Sequence, residues 1–262
     1  MGALLREWRL HRGVSQMHLA LEVGVSTRHL SFVETGRAKP SVEMLIALAH
    51  GLDVPLRQRN SLLLAAGYAP RYQETSLDDR KMSWIRAALQ RLLDAHDPYP
   101  GAVLDREWNV VLANAGAAAL NRDVPSELLG PPTNVFRLCL HPDGLARHTL
   151  NFPQLASFLL GELHHLRIRT RDQGVESLAE EVLRYPNIET LSRPIPVTTE
   201  NDPELLIPWK LRLNGVSRSY FITLTKFATP QDITLDELTL ELFYPVESGE
   251  QEGSRYKGPK AT

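Results

Sequence analysis

QMHLALEVGVSTRHLSFVET, residues Gln16 to Thr35, holds two short helical patterns joined at Gly24. Counted from Gln16 as the first position, Ala20 is fifth and Gly24 ninth. A small fifth residue lets two helices cross closely, and the ninth sits in the tight turn, where a positive φ suits glycine. Apolar Leu19, Val23, Val25, Leu30 and Val33 fall at the positions that fill the wedge between the helices. Ser15 and Ser26 stand where each helix needs an N-cap. Together these residues spell a helix-turn-helix, whose second helix reads the DNA major groove. An ordinary αα-hairpin with a glycine turn shares part of the pattern.

The flanks extend the match. Upstream, Leu4, Leu5, Trp8 and Leu10 read as a first helix ending at Gly13; downstream, Met44, Leu45, Leu48, Ala49 and Leu52 recur at helical spacing. A fifth helix follows Pro55 and stops at Gly67 and Pro70. The chain here resembles the Cro/lambda-repressor-like, or XRE-type, family. Ser15-Gln16, Leu19-Ala20, Gly24-Val25-Ser26, Leu30 and Glu34-x-Gly36-x-x-x-Pro40-Ser41 carry the resemblance, which spans residues 3 to about 67. It implies that Thr27, Arg28, Ser31 and Phe32 face DNA bases. Arg28 has the fork to pair with a guanine edge; Phe32 suits a thymine methyl or a packing role equally. Gln16 matches a family phosphate contact, and Arg37, Lys39 and Ser41, in the loop after the reading helix, are placed to make others. The resemblance also implies a dimer on two half-sites.

Charge agrees in sign. Residues 1–75 hold nine Lys/Arg against six acids, a net of +3, within a 262-residue chain of net charge −2. The remaining residues therefore carry −5: a modestly basic head on an acidic body. The one cysteine, Cys139, rules out an internal disulfide and fits a reducing compartment. Charges interrupt the apolar run at the start, residue 6 is Arg6 where N-myristoylation wants Ser or Thr, and no stretch suits a membrane span. The expectation is a cytoplasmic protein lying with the chromosome.

Polar residues 71–81 read as a linker, after which Met82, Ile85, Leu89, Leu92 and Leu93 give a connecting helix up to His96. It either flanks the second domain or makes a dimer contact. Ala102–Leu104 and Trp108–Asn114 then read as a strand pair, and Val135–Leu140, Gln154–Arg167 and Val175–Leu183 as helices. Leu205–Leu213 and Val216–Phe227 alternate around Asn214-Gly215, a strong hairpin turn signal, and Glu237–Tyr244 is a last strand. That order predicts an α+β chain: a five-helix head, then an antiparallel sheet of about five strands with helices on one face. The order looks like a PAS domain. More narrowly, the chain resembles the MmyB-like regulators over about residues 3–248. The motifs are Arg57-x-x-Asn60, Ala66-Gly67-Tyr68-Ala69-Pro70, Pro98-Tyr99-Pro100, Asp105-Arg106-x-Trp108, Asn114, Asn134-x-x-Arg137-x-x-x-His141-Pro142, Asn151-Phe152 and Asp232-x-Thr234-x-Asp236-Glu237-Leu238. The resemblance implies a bacterial transcription regulator whose PAS-like domain binds a lipid such as a long-chain fatty acid. The domains read as 1–70 for DNA binding, 71–81 linker, 82–250 ligand binding and 251–262 a disordered tail.

A pocket between sheet and helices would be walled by Trp108, Val110, Leu211, Leu213, Tyr220, Ile222 and Leu240 from strands. Phe136, Phe158, Leu159 and Leu163 would approach from helices. Such a wall suits an acyl chain, with Arg137, Arg147 and His148 as candidate donors to a carboxylate. Cys139 lacks the context of a light-sensing flavin cysteine and reads as a buried thiol. His141, His148, His164 and His165 lack metal-pair spacing, so no metal or resident cofactor is expected beyond a bound effector. Asp78-Asp79 and Glu180-Glu181 read as solvated faces. No phosphate loop, dinucleotide fingerprint or nucleophile elbow occurs, which argues against an enzyme. Two readings remain: a ligand-responsive DNA-binding regulator, or a DNA-binding scaffold whose second domain only dimerises or docks protein partners.

Overall fold

The computed structural model of the chain describes residues 1–170, 173–191 and 206–246. The tail expected at 251–262, the end of the expected second domain at 247–250, and Leu205 at the head of a predicted strand lie outside those residues. Contacts group Met1–Ser83 with Phe227–Glu237 as one unit, and Trp84–Lys226 with Leu238 onward as another.

The first unit contains α1 (Gly2–His11), α2 (Gln16–Val23), α3 (Thr27–Glu34), α4 (Val42–Gly51) and α5 (Leu56–Ala65). Three of these helices start the same way. The side chains of Ser15, Ser26 and Ser41 accept hydrogen bonds from the backbone N–H of His18, His29 and Met44, at 3.1, 3.1 and 3.2 Å. Each cap satisfies a donor the helix itself leaves free and stabilises by about 1 kcal/mol. Helix α2 ends at Gly24, with φ of 73° in the left-handed region where a side chain would be strained. Leu5, Leu19, Ala20, Leu30, Val33, Leu45 and Leu48 form the buried core, so the wedge read from the sequence is where the core sits. Gly2 admits a close approach: a Cβ there would collide with the Val33 and Glu34 carbonyl oxygens.

The second unit follows α6 (Ser83–His96) with β1 (Gly101–Leu104), β2 (Val110–Ala113), α7 (Ala115–Leu120), α8 (Ser126–Leu129), α9 (Val135–Leu140), α10 (Phe152–Thr170), α11 (Gln173–Leu183) and α12 (Pro186–Glu189). Strands β3 (Trp209–Leu213) and β4 (Val216–Thr225) form a hairpin, and α13 (Ile233–Glu237) precedes β5 (Thr239–Pro245). Among the described residues the sheet has five antiparallel strands in the order β2-β1-β5-β4-β3. The β3–β4 turn has positive φ at both Asn214 (50°) and Gly215 (77°), as a tight primed turn requires. Asp105 closes the β1–β2 turn, its Oδ1 accepting from the N–H groups of Glu107 and Asn109 at 2.8 and 2.9 Å. Asn114 and Asn134 cap α7 and α9.

Helices α9 to α12 pack on one face of the sheet, where Phe136, Leu140, Leu163 and Val182 join Trp209, Leu211 and Phe243 in a single core. Leu93 of α6 meets the other face: its Cδ2 and that of Leu242 would lie 3.0 and 3.1 Å from a Cβ on Gly101. The strand β5 therefore has two covered faces, and its residues divide by parity.

The stretch 227–237, placed by the sequence reading within the second domain, packs with the helical head. Asp236 accepts from the Leu56 N–H at 2.9 Å, filling a free donor at the start of α5. Glu237 accepts from Arg57 Nε and Nη2 at 2.7 and 2.9 Å, and Asp232 from the Thr75 hydroxyl at 2.6 Å. Asn60 holds the chain after α5, accepting from the N–H of Arg71 and donating to the carbonyl of Tyr72. Two motifs far apart in sequence thus form one polar fastening.

Candidate functional site

In the first unit, an ion pair sets the frame of α1, α2 and α3. Arg9 donates through Nε and Nη2 to the two carboxylate oxygens of Glu34 at 2.6 and 2.9 Å, and through Nη1 to the Val14 carbonyl at 2.9 Å. Gln16 Nε2 donates to Glu34 Oε2 at 2.7 Å. The Glu34 carboxyl sits below the usual carboxylate range. Burial alone pushes it up, but the hydrogen bonds from Arg9 and Gln16 and the charges of Arg9 and Arg6 together outweigh that. The three residues tie α1 and the start of α2 to the end of α3.

Thr27 and Arg28 are exposed at the start of α3, and Ser31 and Phe32 are half-buried further along. The Arg28 guanidinium lies 5.4 Å from the Phe32 ring centroid, a cation–π contact that extends it along the helix surface. Gln16, expected from the sequence to touch a phosphate, spends one of its two amide hydrogens on Glu34 and keeps the other. Arg37 is exposed just beyond α3. The Lys39 ammonium lies 4.5 Å over the Tyr68 ring, and the Tyr68 hydroxyl donates to the Pro40 carbonyl, so this loop is braced. Ser41 is exposed but its oxygen already caps α4.

In the second unit, a cavity of about 160 Å³ lies between the sheet and its covering helices. Of the predicted wall residues, Trp108, Val110, Phe158, Leu159 and Ile222 line it. The others do not. Phe136, Leu163, Leu211 and Tyr220 are buried in the surrounding core, and Leu213 packs half-buried against it. Leu240 fails by parity. In β5, Glu241 and Phe243 face the cavity, which puts Leu240 and Leu242 on the opposite side of the strand. Both faces are covered, so hydrophobicity could not tell them apart; the signal available was the cross-strand register that sets Ile222 opposite Phe243. Trp209, Leu224, Asn121 and Cys139 also line the cavity and were missed. Phe158 is 41% exposed, so the wall reaches the surface there.

Trp108 has φ of 64°, an uncommon conformation for a bulky residue. The hairpin enforces it: its N–H donates to the Asp105 carbonyl and its own carbonyl accepts from Val135. The indole is thereby held at the cavity, 4.9 Å from the Phe136 ring.

The expected carboxylate donors are engaged elsewhere. Arg137 forks onto Glu181 at 2.9 and 2.8 Å. Arg147 bonds the Asp123 carbonyl and sits 3.0 Å from His148. None of the three lines the cavity. Among the described residues, its charged member is Glu241, on the parity of β5 opposite Leu240 and Leu242. Burial lifts the Glu241 carboxyl to about 7. Cys139 is buried, and burial first, then the nearby Glu241 charge, pushes its thiol up, so it is an inert thiol. Among the described residues, no three His, Cys, Asp or Glu side chains converge as a metal site. No helix among them is long and apolar enough to cross a membrane.

Two family models match. The helix-turn-helix model covers residues 5–58, and the MmyB-like transcription regulator ligand binding domain covers residues 85–253. The chain belongs to the MmyB-like transcription regulators. No curated protein matches it. This MmyB-like regulator is therefore a DNA-binding transcription regulator with a ligand-binding domain; the first match runs from α1 to the start of α5, and the second falls mostly on the unit that holds the cavity.

Proposed function

We propose that this cytoplasmic regulator binds an operator as a homodimer and senses a small apolar effector, a fatty acid being the class its family resemblance favours, without catalysing a reaction. The observation that carries the sensing is the cavity itself, about 160 Å³ and walled mainly by apolar side chains in the ligand-binding unit. A cavity of about 150 Å³ takes up benzene, so this one holds a body of roughly six to eight carbons, with a longer chain continuing past Phe158. Each buried CH₂ contributes about 0.8 kcal/mol. Regulation requires the effector to bind the DNA-competent and incompetent states with different affinity. Trp84 and Leu92 on α6, 71% and 55% exposed, support a dimer contact on that helix.

The test is native mass spectrometry of the purified chain with operator titrations in the presence of octanoate, longer acids and the alcohols and amines of the same chain length. The expected result is a dimer whose operator affinity shifts a few-fold or more with ligand. Absence of any retained or added ligand, with unchanged DNA affinity, would favour the scaffold reading, in which the second unit only dimerises or docks partners.

A further inference from the structure

We propose that the effector carries a hydrogen-bond donor, an amine or a hydroxyl, and presents it to the carboxylate of Glu241. This rests on the cavity being the sensor site; it keeps the apolar chain of that reading and changes the head group, a donor taking the place of a fatty acid's carboxylate.

Glu241 is 7% exposed and lines the cavity. Its carboxylate makes no hydrogen bond or ion pair among the described residues. Its neighbours across the sheet are Ala102 on β1 and Leu224 on β4, and neither offers a donor from its side chain. The Trp209 indole N–H, on the same wall, already donates to the Thr149 hydroxyl at 2.9 Å. A carboxylate held this way is costly unless something completes it, since buried charges in folded proteins are paired and hydrogen-bonded. The missing partner belongs in the cavity. Among the described residues, Asn121 adds the one amide on the wall and can orient a polar head group alongside.

The sign of the site matters. A carboxylate head would set a second negative charge against Glu241 in an apolar enclosure, and the arginines that would neutralise it are bound elsewhere. An ammonium or hydroxyl instead supplies the proton the carboxylate lacks. Burial lifts the Glu241 carboxyl only to about 7, so it is still largely ionised at pH 8 and can accept.

Trp108 and Trp209 line the cavity and report occupancy by fluorescence. The full chain would be titrated at pH 8 with octylamine, octanol and octanoate, which share one tail. The expected result is that octylamine or octanol binds at least tenfold more tightly than octanoate, and that Glu241→Gln erases most of that preference. Amine above alcohol identifies a cationic effector, and the reverse a hydroxyl. If octanoate binds as well as both others in the wild-type chain, the head-group assignment is overturned while sensing stands. If none of the three binds or shifts the melting temperature, the cavity is not the sensor site and both fall.

Discussion

Replacing Arg9 with alanine should loosen the end of the DNA-reading helix far more than a surface arginine would. The Arg9 and Glu34 side chains are only 8% and 1% exposed. Removing one member of a buried pair strands the other charge, at a cost of about 3–5 kcal/mol. In Arg9→Ala the stranded group is Glu34, left with Gln16 alone, so the full range applies. In Glu34→Ala the guanidinium keeps the Val14 carbonyl and can reach water, and about 2–3 kcal/mol is expected. The double variant should cost less than the sum, because the second removal no longer strands a charge. Native-state hydrogen exchange at the Leu30 and Val33 amides reads this locally in α3. The sign with pH is fixed: Glu34 has a depressed carboxyl in the fold, so its contribution is complete above the unfolded carboxylate value near 4.5. It is lost as pH falls through the lower folded value. The gap between wild type and Glu34→Ala should therefore close in acid. Unchanged exchange at Leu30 and Val33 in Arg9→Ala would refute the account.

Arg28→Ala should weaken operator binding by about 1–3 kcal/mol and relax preference at one base pair in mobility-shift titrations; unchanged preference would make Arg28 a mere surface charge. Arg37→Ala and Lys39→Ala should weaken binding to every sequence alike, each lowering the slope of log affinity against log salt by about one; a specificity change with an intact slope would contradict this. Glu241 behaves oppositely to Glu34. Its carboxyl is raised by burial to about 7, so the fold loses stability as pH rises from the unfolded value through 7. Glu241→Gln should raise the melting temperature at pH 8, by up to about 3 kcal/mol in stability, and gain much less at pH 5.

The head was legible because its signals are local. Ser15, Gly24 and Ser26 act within a turn of their own positions, and the apolar wedge follows from helical period alone. The five strands were legible for the same reason, through Asn214-Gly215 and period-two alternation. The cavity was half-legible. Ile222 was found because its strand has one mainly apolar parity, whereas β5 is sandwiched, and a leucine-rich parity proved to be the face away from the cavity. The polar lining was unreadable, because an acid alternating with leucines normally marks solvent. Arg137 illustrates the converse: proximity in sequence suggested a ligand anchor, yet Glu181, on another helix, takes it.

The return of residues 227–237 to the helical head has a practical meaning for anyone dissecting such a protein. The polypeptide passes between the two units three times, near residues 83, 226 and 237. A fragment cut after residue 83 would leave the Leu56 N–H and the Arg57 side chain without the carboxylates of Asp236 and Glu237. The DNA-binding head is thus not a contiguous cassette, and a chimera that exchanges heads between regulators must bring an eleven-residue piece from near the far end of the chain along with it.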